Sequence, residues 1–355
     1  MTTLVVCCGL GGVGKTTTAA ALGVAYARAG KRVVVMTIDP ARRLADALGT
    51  EAIGNLPVRV TLPDVSGTLD ALMLDRDATW AEVIRRHAPS AELADRLIAN
   101  PWSRAVSSRL SGAHELMATE KLHALATDGR WDVVVVDTPP SFHALDFLHA
   151  PDRVRRLLDR RLLGALFEPA SKGLVGIATR GLASLVRRVA GEAVMDDLSE
   201  FFGMVSALST GLRERGAAVA TLLHSRECHY ILVASAAAPR EEEVSEFLAA
   251  LREDGRSFSG SVLTRATAPL RVPVNAMLAE LPTRPKGVDA AGWAHALSAL
   301  VEAAATHERR AARDAATATR MARMSGAPVW PVPEVDTEAG AITALGLIAA
   351  SLPTL

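Results

Sequence analysis

The run LVVCCGLGGVGKTTTA at residues 4–19 constrains this chain more than any other stretch. A short apolar segment of strand character opens into a glycine loop and then into a helix-forming sequence. Residues 9–16, GLGGVGKT, fit the pattern G-x-x-x-x-G-K-[ST] of a phosphate-cradling loop. The residue types have a physical reason: glycines let successive backbone N–H groups curl around phosphate oxygens, and the following helix adds its positive end. Gly11, Gly12, Val13, Gly14, Lys15, Thr16 and Thr17 would form the cradle of a nucleoside triphosphate, ATP being the expected one. Within it Lys15 would hold the terminal phosphates, and the Thr16 hydroxyl a Mg²⁺ ion. A strand feeding a helix through such a loop belongs in an α/β fold, that of a P-loop NTPase with a mostly parallel sheet flanked by helices and a helical insertion.

Two further strands point at the same place. Residues 131–137, WDVVVVD, carry four consecutive valines, the mark of a strand buried on both faces, and end in an acid. This is a Walker B pattern, and Asp137 would share the Mg²⁺ with Thr16. Residues 31–38, KRVVVMTI, form another buried strand that leads into DPARRL. Ligands of open parallel sheets bind at the carboxyl ends of the strands, so Asp39 would face the phosphates. The competing reading is that Asp39 only caps a following helix with Pro40 at its first position.

At 355 residues the chain can bury a sizeable core. Formal charge balances to zero and aromatics make up only 4%, so neither a phosphate-attracting field nor a base-stacking platform for nucleic acid is expected. The start MTTLVV has no basic region before an apolar core, unlike a secretory leader. Residues 339–355, AGAITALGLIAASLPTL, fall short of the roughly 20 apolar residues that span a bilayer. The expected location is therefore the cytoplasm, without stable membrane insertion. Cys7, Cys8 and Cys228 cannot build a paired-disulfide framework and read as small buried hydrophobes. His87, His114 and His123 show no metal spacing and read as packing or surface histidines.

Along the chain, residues 55–74 look irregular with one short strand, and 75–127 read as helices broken at Pro89 and Pro101. The α/β alternation is suspended over residues 151–215, a helical insertion whose first half is basic and leucine-rich. Its second half places Leu198, Phe201, Phe202, Val205, Leu208 and Leu212 on one helix face. That stripe is either intramolecular core or a groove for an apolar client segment. Strands then follow at 230–235, 261–264 and near 328–335, with helices at 239–251, 288–324 and 338–352; the proline-rich 271–287 reads as a loop. There is one phosphate loop and no internal repeat.

Together these residues resemble the ArsA family, which includes arsenite-pump ATPases and the eukaryotic guided-entry ATPase for tail-anchored membrane proteins. The resemblance runs nearly the length of the chain: the phosphate loop, T-I-D-P-A-x-x-L at 37–44 as switch I, D-T-x-P-x-x-H-x-L at 137–145 as switch II, and the helical insertion. It implies a single ATPase domain over 1–355, with a core of 1–150 and 216–355 and a client-binding insertion of about 151–215. It also implies that Asp39 positions the attacking water, that Lys15 assists at the phosphates, and that Thr264, Arg265 and Pro333 lie at the adenine. Thr264 stands where the family has an adenine-reading asparagine.

Many relatives carry K-G-G-x-G-K, with an extra lysine that enters the partner's site in a dimer; here that position is Leu10. CCGxGGVGKTTTAAA and DTPPS are similar to the B-type subunit of the paired actinobacterial guided-entry-like (Bag) ATPases. Neither the arsenite enzymes' cysteine cluster nor a Cys-x-x-Cys zinc clasp occurs in the sequence. Two readings stay open. One is an ATPase that targets or chaperones apolar membrane-protein segments as a homodimer or heterodimer. The other is a weakly hydrolysing nucleotide-binding subunit paired with a lysine-bearing paralogue.

Overall fold

The valine run sits at the centre of the sheet. In the computed structural model, which describes residues 2–39, 41–51, 53–63, 65–103, 113–139, 192–237, 241–280, 284, 287, 289–335 and 340–355, eight strands form one sheet. They are β1 (Thr3–Cys8), β2 (Arg32–Thr37), β3 (Val58–Val60), β4 (Thr68–Met73), β5 (Val133–Asp137), β6 (Cys228–Ser235), β7 (Phe258–Ala266) and β8 (Val329–Pro333). The spatial order is β3-β4-β2-β5-β1-β6-β7-β8, and every pair is parallel except β3 on β4.

Alternate strand residues feed two separate cores, which is why β5 can be valine throughout. Val133 and Val135 join Val5, Val33, Val35 and Val233 on one face, covered by α1 (Lys15–Arg28), α2 (Arg43–Leu48) and α10 (Ala341–Ala349). Val134 and Val136 join Leu4, Val6, Val34 and Met36 on the other face. That side is covered by α3 (Arg76–His87), α4 (Ala91–Ala99), α5 (Ala113–Thr127), α6 (Glu192–Leu223), α7 (Glu241–Glu253) and the long α9 (Ala290–Ser325).

Two local expectations are corrected. Residues 55–74 hold two strands rather than one. Asp70 interrupts the apolar pattern of β4, yet its carboxylate is satisfied there: Arg59 Nε lies 2.6 Å from Oδ1, and Trp131 Nε1 donates to Oδ2 at 2.8 Å. The segment 271–287 is not all loop, since α8 (Val274–Ala279) starts directly after Pro273 and buries none of its residues. Proline there begins a helix instead of preventing one.

The helix α6 runs unbroken past residue 215. Phe201, Leu208 and Leu212 of the apolar stripe, with Met204, Val219 and Leu223, belong to the same core as the strands. These positions are packed within the chain; the side chains of Leu198, Phe202 and Val205 are not among those described. Arg215 also ties α6 down, with Nε 3.2 Å from the buried carboxylate of Glu120 on α5, which Arg86 and His87 of α3 approach at 3.8 and 3.9 Å. His87 and His123 therefore border a charge cluster between helices. The switch II residues from Pro140 to Leu145, the stretch 151–191, the side chain of His114 and Pro40 lie outside the described residues. Among the described residues no helix is long and apolar enough to cross a membrane.

Candidate functional site

The glycine loop owes its path to backbone geometry. Gly9, at φ +148°, passes so close to β6 that a Cβ would drive into the Val233 carbonyl oxygen. Gly14, at φ +90°, is the N-cap of α1 and supplies no side chain to the first turn, where no acidic residue stands either. The amino end of a 14-residue helix thus faces the loop with its positive partial charge, and no acidic residue of its own first turn offsets it. Thr264 braces this loop from β7: its Oγ1 lies 2.7 Å from Val13 O and 3.1 Å from Ala234 O.

Lys15 is buried, with Nζ donating to the Leu10 carbonyl at 2.5 Å. Burial lowers its pKa, against the pull of Asp137, Cys8 and Asp39. The register explains what lies next to it. Thr37 of β2 and Cys7 of β1 are both paired with Asp137 of β5, so three strand ends finish in one row. Thr16 Oγ1 and Thr37 Oγ1 both donate to Asp137 Oδ2, at 2.7 and 2.9 Å. Among the described residues, Oδ1 of the same carboxylate is buried without a hydrogen-bond partner. Burial accordingly pushes the Asp137 pKa up to about 6, against the two threonine hydrogen bonds and Lys15, which lower it.

A buried carboxylate oxygen without a donor requires an explanation. A hard cation supplies one: Mg²⁺ takes oxygen ligands, keeps several waters and binds through one or two protein groups plus phosphates. The Thr16 hydroxyl and the Asp137 carboxylate would suit such an ion, with room at Oδ1 for a water bound to it.

Asp39 follows Thr37 closely. Its backbone N–H donates to Thr37 Oγ1 at 3.2 Å, its Oδ1 accepts from Ala41 N at 3.0 Å, and its Oδ2 lies 3.1 Å from Arg43 Nη1. The capping alternative does not describe this geometry, because α2 begins at Arg43 with Arg42 at its N-cap. The Asp39 side chain instead closes an Asx turn, a local side-chain-to-backbone loop. At the other end of the cradle, Thr264, Arg265 and Pro333 line one pocket of about 450 Å³ together with Gly14 and Thr17. Arg265 alone among the described non-glycine residues has positive φ, +54°, and it sits where the β7–β8 register slips. Such a bulge re-aims a side chain.

Sequence similarity now decides the family. The model for anion-transporting ATPases matches residues 2–219, more than half of the chain. The chain belongs to the ArsA ATPase family. Among relatives of this ArsA chain, an ATPase GET3 of Malassezia globosa is 30% identical over 167 residues, covering 46% of this chain and 48% of that protein. An ATPase ASNA1 homolog of Paramecium tetraurelia is 28% identical over 152 residues, 43% of this chain and 45% of that protein. Protein Rv2184c of Mycobacterium tuberculosis is 36% identical over 161 residues, 40% and 36% of the two chains. The matched stretch thus spans about half, or less, of these relatives.

The residues singled out from sequence lie around the carboxyl ends of β1, β2, β5, β7 and β8. The sequence placed Thr37 at the head of the switch I pattern but gave it no role of its own in the site. Its signal was a hydroxyl at the end of an otherwise apolar strand, two residues before the acid. Thr138, at the start of switch II, spends its hydroxyl on Cys7 O at 2.7 Å and so belongs to the sheet end. The cysteines are buried, and burial drives the thiols of Cys8 and Cys228 up to about 12 and about 11.

Proposed function

We propose that this protein binds ATP–Mg²⁺ at the loop of residues 9–16 and hydrolyses it, acting in the cytoplasm as a factor that couples nucleotide state to binding of apolar membrane-protein segments. The observation that carries the nucleotide reading is the Thr16–Asp137–Thr37 cluster, with the unpartnered Asp137 oxygen beside a helix amino end. Bound Mg²⁺ would neutralise phosphate charge and orient the terminal phosphate. Lys15 would exchange the Leu10 carbonyl for terminal phosphate oxygens, a trade of a neutral acceptor for a charged one. Asp39, held by its Asx turn, would orient a water for in-line attack. The pocket at Thr264, Arg265 and Pro333 would receive the base, against a Thr264 whose hydroxyl is already committed to carbonyls. The client reading rests on the family resemblance and on the basic, leucine-rich stretch 151–191.

A second reading has its own observation. The Leu10 side chain packs against the core beneath the loop and its carbonyl holds Lys15, so position 10 offers no cation to a partner. A heterodimer with a paralogue bearing K-G-G-x-G-K would restore one, and this chain would then be the weaker ATPase of the pair. Isothermal titration of ATP with Mg²⁺ into wild type and Lys15→Ala tests the site itself. The expected result is a loss of about 10²-fold or more in affinity, since a buried charge-assisted contact is removed. Equal affinities would overturn the assignment.

A further inference from the structure

The two acids of the site do not touch each other, yet one side chain joins them. Thr37 is 1% exposed at the end of β2, in register with Asp137. Its hydroxyl donates to Asp137 Oδ2 at 2.9 Å and accepts the backbone N–H of Asp39 at 3.2 Å. A threonine hydroxyl has one hydrogen and two lone pairs, so it satisfies both partners at once. The strand ends are also joined by Ile38 N–H donating to Asp137 O at 3.0 Å, but that bond ends on the main chain. Thr37 reaches the carboxylate. Beyond Asp39 the chain turns through Ala41 to Arg43, whose guanidinium, 60% exposed, pairs with Asp39 and gains little from it.

We propose that Thr37 is a positioning residue that couples the two acids, its hydroxyl clamping the Asp39 backbone to the oxygen of Asp137 that Thr16 also holds. A change at Asp137, such as arrival of a cation and phosphates, then alters the Thr37 hydrogen bond and is felt at Asp39. The proposal deepens the reading of this site as an ATPase centre and rests on it. It assigns Thr37 no contact with the nucleotide. The hydroxyl is what the role needs, so serine serves and valine, of the same shape, does not.

The test compares wild type, Thr37→Ser and Thr37→Val by two readouts. One is trypsin cleavage after Arg42 and Arg43 in the nucleotide-free protein, which reports how often the 39–43 segment opens. The other is single-turnover cleavage of ATP, alongside ATP affinity measured in EDTA. Thr37→Val should speed tryptic nicking by about five-fold, the loss of one hydrogen bond, and slow ATP cleavage at least as much, with affinity in EDTA changed less than about two-fold. Thr37→Ser should restore both. Nicking and cleavage unchanged by valine, or serine behaving as valine does, would overturn the proposal, the second outcome returning Thr37 to a packing role. If wild type neither binds nor cleaves ATP, the ATPase reading fails and the coupling role with it. Faster nicking in Thr37→Val alone would then show that the clamp exists without that function.

Discussion

Replacing Asp137 by asparagine gives the sharpest physical test of the site, because the effect has a sign that packing alone cannot imitate. The carboxyl pKa is raised from its ordinary value of 3.8 to about 6, with burial the main cause. Folding therefore favours the protonated acid. The stabilisation is fully present below the unfolded value near 3.8 and is lost as pH rises through about 6. A shift of about two units corresponds to about 3 kcal/mol in total, and about half of that falls between about pH 5 and pH 7.5. His123 and His229, both pushed down chiefly by burial, titrate in the same window with the opposite sign, so the wild-type curve alone is ambiguous. The difference between Asp137→Asn and wild type removes them. Asparagine places an amide N–H where Oδ1 lacked a partner and loses the attraction to Lys15, but both costs are independent of pH here. Urea unfolding of nucleotide-free, Mg²⁺-free protein should therefore show the variant gaining about 1.4 kcal/mol on wild type between about pH 5 and pH 7.5. Parallel curves for the two proteins would refute the argument that burial penalises the Asp137 charge more than Thr16, Thr37 and Lys15 relieve it.

Asp39→Asn is expected to leave ATP affinity within about three-fold while lowering single-turnover cleavage by about 10²-fold or more, because the amide keeps the Asx turn and loses the charge that orients water. An unchanged cleavage rate would reduce Asp39 to a turn former. Leu10→Lys should raise the ATPase rate of the self-associated chain, since a cation supplied in trans contributes on the order of 10³-fold where measured. Steady-state rates for the chain alone, the variant, and the chain mixed with a lysine-bearing paralogue decide it, and a high wild-type rate that lysine does not improve would defeat the heterodimer reading. Gly9→Ala should destabilise the fold by about 3 kcal/mol or more, from a left-handed φ and a collision with the Val233 carbonyl. A melting temperature equal to wild type would show that the loop shifts away from β6 at no cost.

Much of the site was legible in the order of elements, because strand, glycine loop and helix force Lys15 and Thr16 to one spot, and a four-valine run ending in Asp137 can only be a central strand. What could not be read was lateral. Nothing in a linear sequence says that β5 lies between β1 and β2, and without that order Thr37 is simply the polar end of a strand. Asp70 shows the same limit: it interrupts an apolar run, and the partners that satisfy it, Arg59 and Trp131, come from 11 and 61 residues away. The apolar face of α6 was visible as spacing, but the same spacing serves a core and a groove equally. Only the packing of Phe201, Leu208 and Leu212 against strand-bearing layers distinguishes them.

That packing has a mechanical consequence. From Phe201 to Leu223 the helix α6 is cemented to the sheet's own core and bolted at Arg215 to the buried Glu120, so this length behaves as a strut. Peeling it away would expose Phe201, Met204, Leu208 and Leu212 together, at about 2 kcal/mol each, comparable to the whole stability of a typical domain. On the proposed function, a movement coupled to ATP would have to leave Phe201 to Leu223 in place, or else carry α3, α5 and α6 along as one block.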